Sequence, residues 1–159
     1  MFQKMLQGGG GEKELKDLIT PKLTSETASK VIKSNEYSNE NKGFYGWKAF
    51  DGIDNNDNAW IAGSNNRANE YIGFIFDKNV AVRKAIISIP SMVRLGQFRI
   101  EASNDSSFSN ILYTSPTFVV TKLKATYLIN EDLIEAKYWR VFAISAPDNI
   151  MINEINFYG

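Results

Sequence analysis

The sequence predicts an all-β protein, an antiparallel β-sandwich that occupies residues 26–159. Apolar and polar residues alternate with a period of two in segments rich in β-branched and aromatic side chains. These segments recur about every 8–12 residues, the spacing of sandwich strands, and Asn, Asp, Ser, Gly and Pro separate them. No segment beyond residue 27 keeps a helical period over three turns.

Eight segments are predicted to be strands. In the segment 138–145 both faces are partly apolar, which indicates a central strand covered on both sides. In the last segment the apolar residues break strict alternation, and a bulge near Asn153-Glu154 would restore it. The eight segments are 71–77, 82–90, 97–104, 111–116, 118–123, 126–130, 138–145 and 151–159.

Residues 1–25 differ from the rest and are predicted to be a flexible or docking N-terminal arm. Gly8–Gly11 is a flexible run, and Glu12–Ile19 has a helical period that Pro21 ends after about two turns, too few for a stable isolated helix. Either the arm is a frayed tail, or it docks. In the second case the apolar residues that would insert into a partner subunit are Phe2, Met5 and Leu6.

Composition excludes several function classes. The chain has 159 residues, enough for one domain, and its 18 basic and 18 acidic residues balance, which argues against nucleic-acid binding. The absence of Cys and His excludes thiolate nucleophiles, zinc–thiolate sites and Ser-His-Asp triads. The acidic residues Glu131, Asp132 and Glu135 occupy a polar turn, typical of a solvated cluster and not of a glycosidase pair. We therefore predict that the protein is not an enzyme.

No apolar run is long enough to span a membrane, and the first residues lack the apolar core of a signal peptide. The sequence thus predicts a soluble protein that is not exported by that route. An apolar spike at Met92–Leu95 would suit a lipid surface, but the neutral net charge gives little attraction to anionic lipid.

Three blocks, taken in order, resemble the discoidin or coagulation factor type C domain, which includes family 32 carbohydrate-binding modules. Residues 47–63 contain Ala49, Asp51, Gly52 and Trp60 in an A-x-D-G…W element. Residues 70–89 hold an aromatic strand, a turn and a following Val-x-Lys strand. Residues 98–105, with the later segments YWRVFAIS and EINFYG, complete the match. The resemblance implies an eight-stranded antiparallel jelly-roll sandwich of the galactose-binding type, with ligand loops at one end.

The resemblance also implies a structural Ca²⁺. Asp51–Asn58 is rich in side-chain oxygens, which hard cations bind, and the alternative is an Asx-rich turn without a metal. The positions that match the family's ligands are Asp51, Asp54, Asn56, Asp57 and Glu154.

In sugar-binding relatives an aromatic side chain stacks on the pyranose while Arg and polar side chains bond its hydroxyls. The matching positions here are Tyr37, Tyr45, Trp47, Arg94 and Asn149, and Asn65 and Arg67 are further loop candidates. The alternative is that the aromatic residues are structural and that Arg94 is only solvated. Trp60 and Trp139 are predicted to be core residues.

These observations predict a non-catalytic binding or adhesion module. A short arm, no signal peptide and a lone adhesion-type module suggest a bacteriophage virion component, such as a tail, baseplate, head-fibre or decoration protein. It would recognise a cell-surface glycan or dock to other virion proteins through residues 1–25, as a homo-oligomer or part of a larger assembly. The alternatives are a stand-alone bacterial carbohydrate-binding module and a structural assembly protein with no glycan ligand.

Overall fold

The computed structural model describes residues 18–25, 29–38, 43–63, 65–129 and 131–159. No helix in these ranges is long and apolar enough to cross a membrane. The strands are β1 (Val31–Lys33), β2 (Tyr37–Ser38), β3 (Gly43–Phe44), β4 (Trp60–Ile61), β5 (Glu70–Val80), β6 (Lys84–Ser88), β7 (Gln97–Ser103), β8 (Ile111–Thr114), β9 (Phe118–Val119), β10 (Lys124–Leu128), β11 (Ala136–Ser145), β12 (Met151–Ile152) and β13 (Glu154–Tyr158), and a 3₁₀ helix spans Gly46–Phe50.

The strands form two main antiparallel sheets, as predicted. The larger sheet has the order β1-β5-β11-β7-β8, with β9 also paired to β7, and the smaller has the order β10-β6-β13. Two short pairs, β12-β4 and β2-β3, complete the described part. Seven of the eight predicted segments each overlap one of these strands, and the last, 151–159, overlaps both β12 and β13. The sequence pattern missed β1 to β4 because two or three residues are too few to show alternation.

Aromatic side chains fill the space between the sheets. Phe50, at the end of the 3₁₀ helix, contacts Phe74 of the larger sheet and Phe157 of the smaller one, with ring centroids 5.3 and 6.5 Å apart. Phe98 of β7 meets Tyr127 of β10 edge to face at 4.8 Å. Contacts of this kind add to the apolar burial that holds the two layers together.

The central position of β11 is confirmed, since it lies between β5 and β7. Its inward side chains, Trp139 and Val141 among them, are buried, and so is Trp60, which confirms the predicted core tryptophans. On the outer face Arg140 is buried beside the fully buried Glu101, with Nη2 2.6 Å from a carboxylate oxygen. The ring of Phe108 lies 3.8 Å from that guanidinium. The outer face is therefore covered locally, around one ion pair.

The chain changes partner strand at Asn153, where the sequence predicts a bulge. β12 pairs with β4, whereas β13 pairs with β6. Between them the Asn153 N–H donates to the Ser88 carbonyl oxygen at 2.9 Å. The broken alternation thus marks a strand that leaves one pairing for another.

Residues Leu18–Leu23, which the sequence analysis assigns to the arm, lie against the sandwich. Leu18 forms a β-bridge with Tyr158, so at this residue the helical period of the sequence does not correspond to a helix. The Ile19 N–H donates to the Phe157 carbonyl oxygen, and Leu23 is buried. The remaining arm features, which are Phe2, Met5, Leu6, Gly8–Gly11 and residues 12–17, lie outside the described residues.

We predict that Gly73→Ala destabilises the fold by about 3 kcal/mol, because overpacking against a backbone that cannot retreat is costly. A Cβ atom at Gly73 would lie 2.2 Å from the Trp139 carbonyl oxygen and 2.7 Å from the Arg140 Cα. Urea unfolding measures the loss. Asn79→Ala in the same strand is the control, since Asn79 is exposed. Equal unfolding midpoints for the two variants would contradict the prediction.

Candidate functional site

Three loops meet at one end of the sandwich because of the strand register. Ala143 of β11 is paired with Glu70, the first residue of β5, and Ser145 is paired with Gln97, the first residue of β7. The chain segments 62–69, 89–96 and 146–150 adjoin these strand ends. Antiparallel pairing therefore gathers loops that are far apart in sequence at a single edge.

Main-chain hydrogen bonds clamp the loop after β11 between the other two. The N–H groups of Ala146 and Ile150 donate to the carbonyl oxygens of Arg67 and Asn66, at 2.7 and 3.0 Å. On the other side the Asp148 N–H donates to the Val93 carbonyl oxygen at 2.9 Å. These bonds use only backbone atoms and therefore do not engage the side chains of Arg67 and Arg94.

The polar side chains predicted to bind a ligand gather at this end. Arg94 forms an ion pair with Asp148 at 3.1 Å, and the two side chains are 30% and 42% exposed. Asn65 and Arg67 are exposed on the neighbouring loop, where Asn65 adopts a left-handed backbone conformation with φ 64°. The structure thus brings four of the seven predicted ligand residues, the three named and Asn149, to one face.

Asn149 carries an unused acceptor at this face. Its side-chain Oδ1 is buried and has no hydrogen-bond partner in the structure, while its N–H donates to the Asp148 carboxylate at 2.7 Å. Buried polar atoms nearly always have a partner, so one without is a candidate for contact with a ligand or a water.

The predicted aromatic residues lie between β1 and β4, on the first long loop, and among the described residues they form no direct hydrogen bond or ring contact with the polar residues of the face. The loop begins beside the site, where the Asn35 carbonyl oxygen accepts the Trp60 indole N–H at 2.8 Å. Tyr37 faces Phe44 of the paired strand, and Trp47 is half-buried against the core. Tyr45 lies 5.9 Å from the Lys48 ammonium. Within the described ranges, the contacts do not join these three aromatic rings to Arg94 or Asn149.

Glu70 is a residue that the sequence analysis missed. One carboxylate oxygen accepts the Asn66 side-chain N–H at 2.7 Å, and the other accepts the Ser34 hydroxyl. Asn66 also donates to the Ala62 carbonyl oxygen at 2.8 Å. Glu70 therefore ties the first long loop to the loop 62–69. As the first residue of a strand it gives no signal in the sequence that marks this role.

The predicted cation ligands lie around a separate loop, between the 3₁₀ helix and β4. Asp51 and Glu154 are buried and share the same turn: Gly52, at φ 78°, donates its N–H to both Glu154 oxygens at 3.1 and 3.2 Å. The Asp51 carboxylate accepts the Ile53 N–H at 2.8 Å and the Asn58 side-chain N–H. The structure thus brings two of the five predicted ligands together directly.

The other three predicted ligands are exposed and lie along the same loop. Asp54 accepts the Ser88 hydroxyl at 2.7 Å and lies 3.1 Å from the Lys124 ammonium. Desolvation opposes ionisation, but the Ser88 hydrogen bond and next the Lys124 ammonium together lower the pKa of Asp54. Asn56 accepts the Asn153 side-chain N–H at 3.1 Å, and Asp57 belongs to the turn that Asn55 caps. Among the described residues no three acidic side chains converge as a ready metal centre.

Burial shapes the electrostatics of this loop. Desolvation, and next the neighbouring Asp51 charge, raise the pKa of Glu154 to about 8. Close by, the Asn153 Oδ1 is buried without a hydrogen-bond partner. The side-chain atoms that could bind a metal here are all oxygens, which suits a hard cation. The charge of such a cation would stabilise the ionised form of Glu154.

Comparison with known proteins identifies the fold. No protein-family model matches the chain, and no curated protein matches it in sequence. A chitosan-binding module of a Paenibacillus chitosanase/glucanase is 21% identical with a TM-score of 0.66, over 81% of this chain and 93% of the module. A family 32 carbohydrate-binding module from Clostridium perfringens, solved with GalNAc-β-1,3-galactose, is 13% identical with a TM-score of 0.67, over 82% and 94%.

An F5/8 type C domain from Bacteroides fragilis is also similar. It is 17% identical with a TM-score of 0.63, over 80% of this chain and 89% of that domain. These likenesses show that the chain has the discoidin-like fold, which confirms the jelly-roll sandwich implied by the sequence resemblance.

We predict that the stability of the metal-free protein falls as the pH rises from about 5 to 8. Glu154 has a pKa of about 8 in the folded protein against an ordinary 4.5, so between these values the folded state binds one more proton than the unfolded state, and a rise in pH therefore favours unfolding. Urea unfolding in a chelator at several pH values measures the slope.

Glu154→Gln should flatten that slope, because the glutamine amide does not titrate. Glu131→Gln is the control, since Glu131 is exposed. The prediction fails if the wild type and Glu154→Gln lose stability in parallel over this pH range.

Proposed function

We propose that the protein is a non-catalytic module that binds a glycan through the face formed by the loops 62–69, 89–96 and 146–150. The observation that carries the proposal is the accessible Arg94–Asp148 pair beside the unpartnered Asn149 Oδ1. An arginine supplies several donors and a carboxylate supplies acceptors, and vicinal sugar hydroxyls need both. The similar modules from Paenibacillus and Clostridium perfringens bind chitosan and GalNAc-β-1,3-galactose, which supports this class of ligand.

The backbone clamp suits a recognition surface of this kind. Main-chain bonds hold the loop after β11 between its two neighbours. The protein side chains that contact a glycan would therefore bind it with little loss of loop entropy. The face presents the partly exposed Arg94 and Asp148 beside the exposed apolar side chains of Met92 and Val93. We infer that each site binds weakly and that several copies act together.

A catalytic role finds little support in the residues. The chain has no His or Cys. The acidic residues Glu131, Asp132 and Glu135 are exposed on the surface, as expected for a solvated cluster. Glu154 has a raised pKa, but it is buried under the Gly52 turn and both its oxygens accept that N–H. A buried carboxyl in such a position is not placed across a substrate cleft from a second acid.

We also propose that the loop after the 3₁₀ helix holds a structural Ca²⁺, with Asp51 and Glu154 as its central ligands and Asp54, Asn56 and Asp57 beside them. The buried pair of carboxyls and the free Asn153 Oδ1 support the proposal. The ion would join the loop to β13, because Asp51 and Glu154 are 103 positions apart in the chain and neither sheet pairs them.

We propose, further, that the module is a component of a bacteriophage virion and works as part of a larger assembly. Purified phage particles would contain the chain in stoichiometric amounts by mass spectrometry. Its absence from particles of a phage that encodes it would instead favour the stand-alone bacterial module.

We predict that Arg94→Ala lowers glycan binding at least tenfold, since loss of a charged hydrogen bond costs about 1.5–3 kcal/mol. A glycan array probed with a multivalent form of the protein measures the effect. Arg83→Ala is the matched control, because Arg83 lies at the opposite end of β6. A wild-type protein that binds no glycan on the array, or an Arg94→Ala variant that binds like the wild type, would refute the proposed face.

For the cation we predict that Ca²⁺ at about 100 times its Kd raises the Tm by about 5–10 °C over the chelated protein. Differential scanning calorimetry measures the shift. Asp51→Asn should lose it, whereas Asp132→Asn, on the exposed turn, should keep it. Identical melting curves in chelator and in Ca²⁺ would rule the ion out.

A further inference from the structure

An open apolar groove lies at the end of the sandwich away from the ligand loops. It has a volume of about 390 Å³ and runs between the segment Ile19–Pro21 and strand β5. Its apolar lining comes from Ile19, Pro21, Phe74, Phe76 and Val80, and its rim carries Lys30, Asp77 and Lys78. The groove is independent of the proposed glycan face.

The groove is open because β1 is short. β1 pairs with β5 only over Ile72–Phe74, so the part of β5 from Phe76 to Val80 has no strand on that edge among the described residues. The Lys30–Asp77 ion pair marks the rim where β1 begins. Phe74 and Phe76 are buried beneath the groove, whereas Ile19 and Val80 are half-buried and Pro21 is exposed. The part of this apolar lining that is still exposed gains from being covered by apolar side chains.

We propose that residues Met1–Leu6 of the same chain fill this groove. Phe2, Met5 and Leu6 stand at positions i, i+3 and i+4, so one helical turn formed on binding would present all three on one side. Gly8–Gly11 follows directly and lets the chain reverse without side chains in the way. A small apolar surface thus meets an apolar groove of matching size.

The tether makes the same chain the favoured source of this segment. Residues 7–17 separate Leu6 from Leu18, and Ile19, the next residue, lines the groove. Eleven residues span at most about 36–40 Å when fully extended, so a segment of this length can reach a groove that begins beside its anchor. The effective concentration is then on the order of millimolar, above what a separate copy provides in dilute solution.

The first test uses a photo-reactive methionine analogue at position 5 of the full chain. Irradiation should give a crosslink within one molecule, and peptide mapping should place it on residues 19–21 or 74–80. Crosslinks that map elsewhere would overturn the groove as the site. Crosslinks that join two molecules would overturn the same-chain assignment and indicate a second copy.

The second test uses a labelled peptide of residues 1–11 and fluorescence anisotropy. It should bind the full chain carrying Phe2→Ser, Met5→Ser and Leu6→Ser, and bind the native chain at least tenfold more weakly because the groove is already filled. A peptide with the same three serines should bind neither. Equal binding to both proteins, or to neither, would overturn the proposal, and circular dichroism verifies that the variant is folded.

Discussion

The pairing of β11 with β5 on one side and β7 on the other fixes where everything else lies. Its inward side chains, Trp139 and Val141, are buried, so a slip of one residue would turn Trp139 to the solvent and bring Arg140 inside. The free-energy cost of such a slip keeps β11 in a single register. The register in turn sets Glu70 and Gln97 at the same edge as the end of β11. The loops that form the candidate glycan face are neighbours for this reason.

The face separates support from recognition. Backbone bonds between Ala146 and Arg67 and between Asp148 and Val93 hold the loops, and Glu70 ties in the first long loop through Asn66 and Ser34. These contacts leave the guanidinium groups of Arg67 and Arg94 unused. The guanidinium of Arg94 makes a separate ion pair with Asp148. The Arg67 and Arg94 side chains of the candidate face could therefore be replaced without loss of the backbone support.

The loop Asp51–Asn58 connects the last strand to the early part of the domain, through the Gly52 N–H and the Glu154 carboxyl. The switch at Asn153 places Glu154 beside Ser88 in the smaller sheet, and the Gly52 turn covers its carboxyl. Burial of Glu154 near Asp51 is unfavourable for two charges, which explains why this carboxyl holds its proton to higher pH. A proton or a cation resolves the same repulsion at the same place.

The sequence by itself determined the all-β class, the eight segments that overlap β5 to β13, the core tryptophans and the discoidin-like resemblance, because alternation and turn residues are local properties. It did not show that Leu18–Leu23 lies on the sandwich, because a single bridge to Tyr158, 140 positions away in the chain, leaves no local pattern. Only the tertiary structure showed that Glu70 joins two loops and that the Asn149 Oδ1 has no hydrogen-bond partner. Such roles depend on which loops lie next to each other. The register between strands that are distant in sequence determines this, and neighbouring residues carry no sign of it.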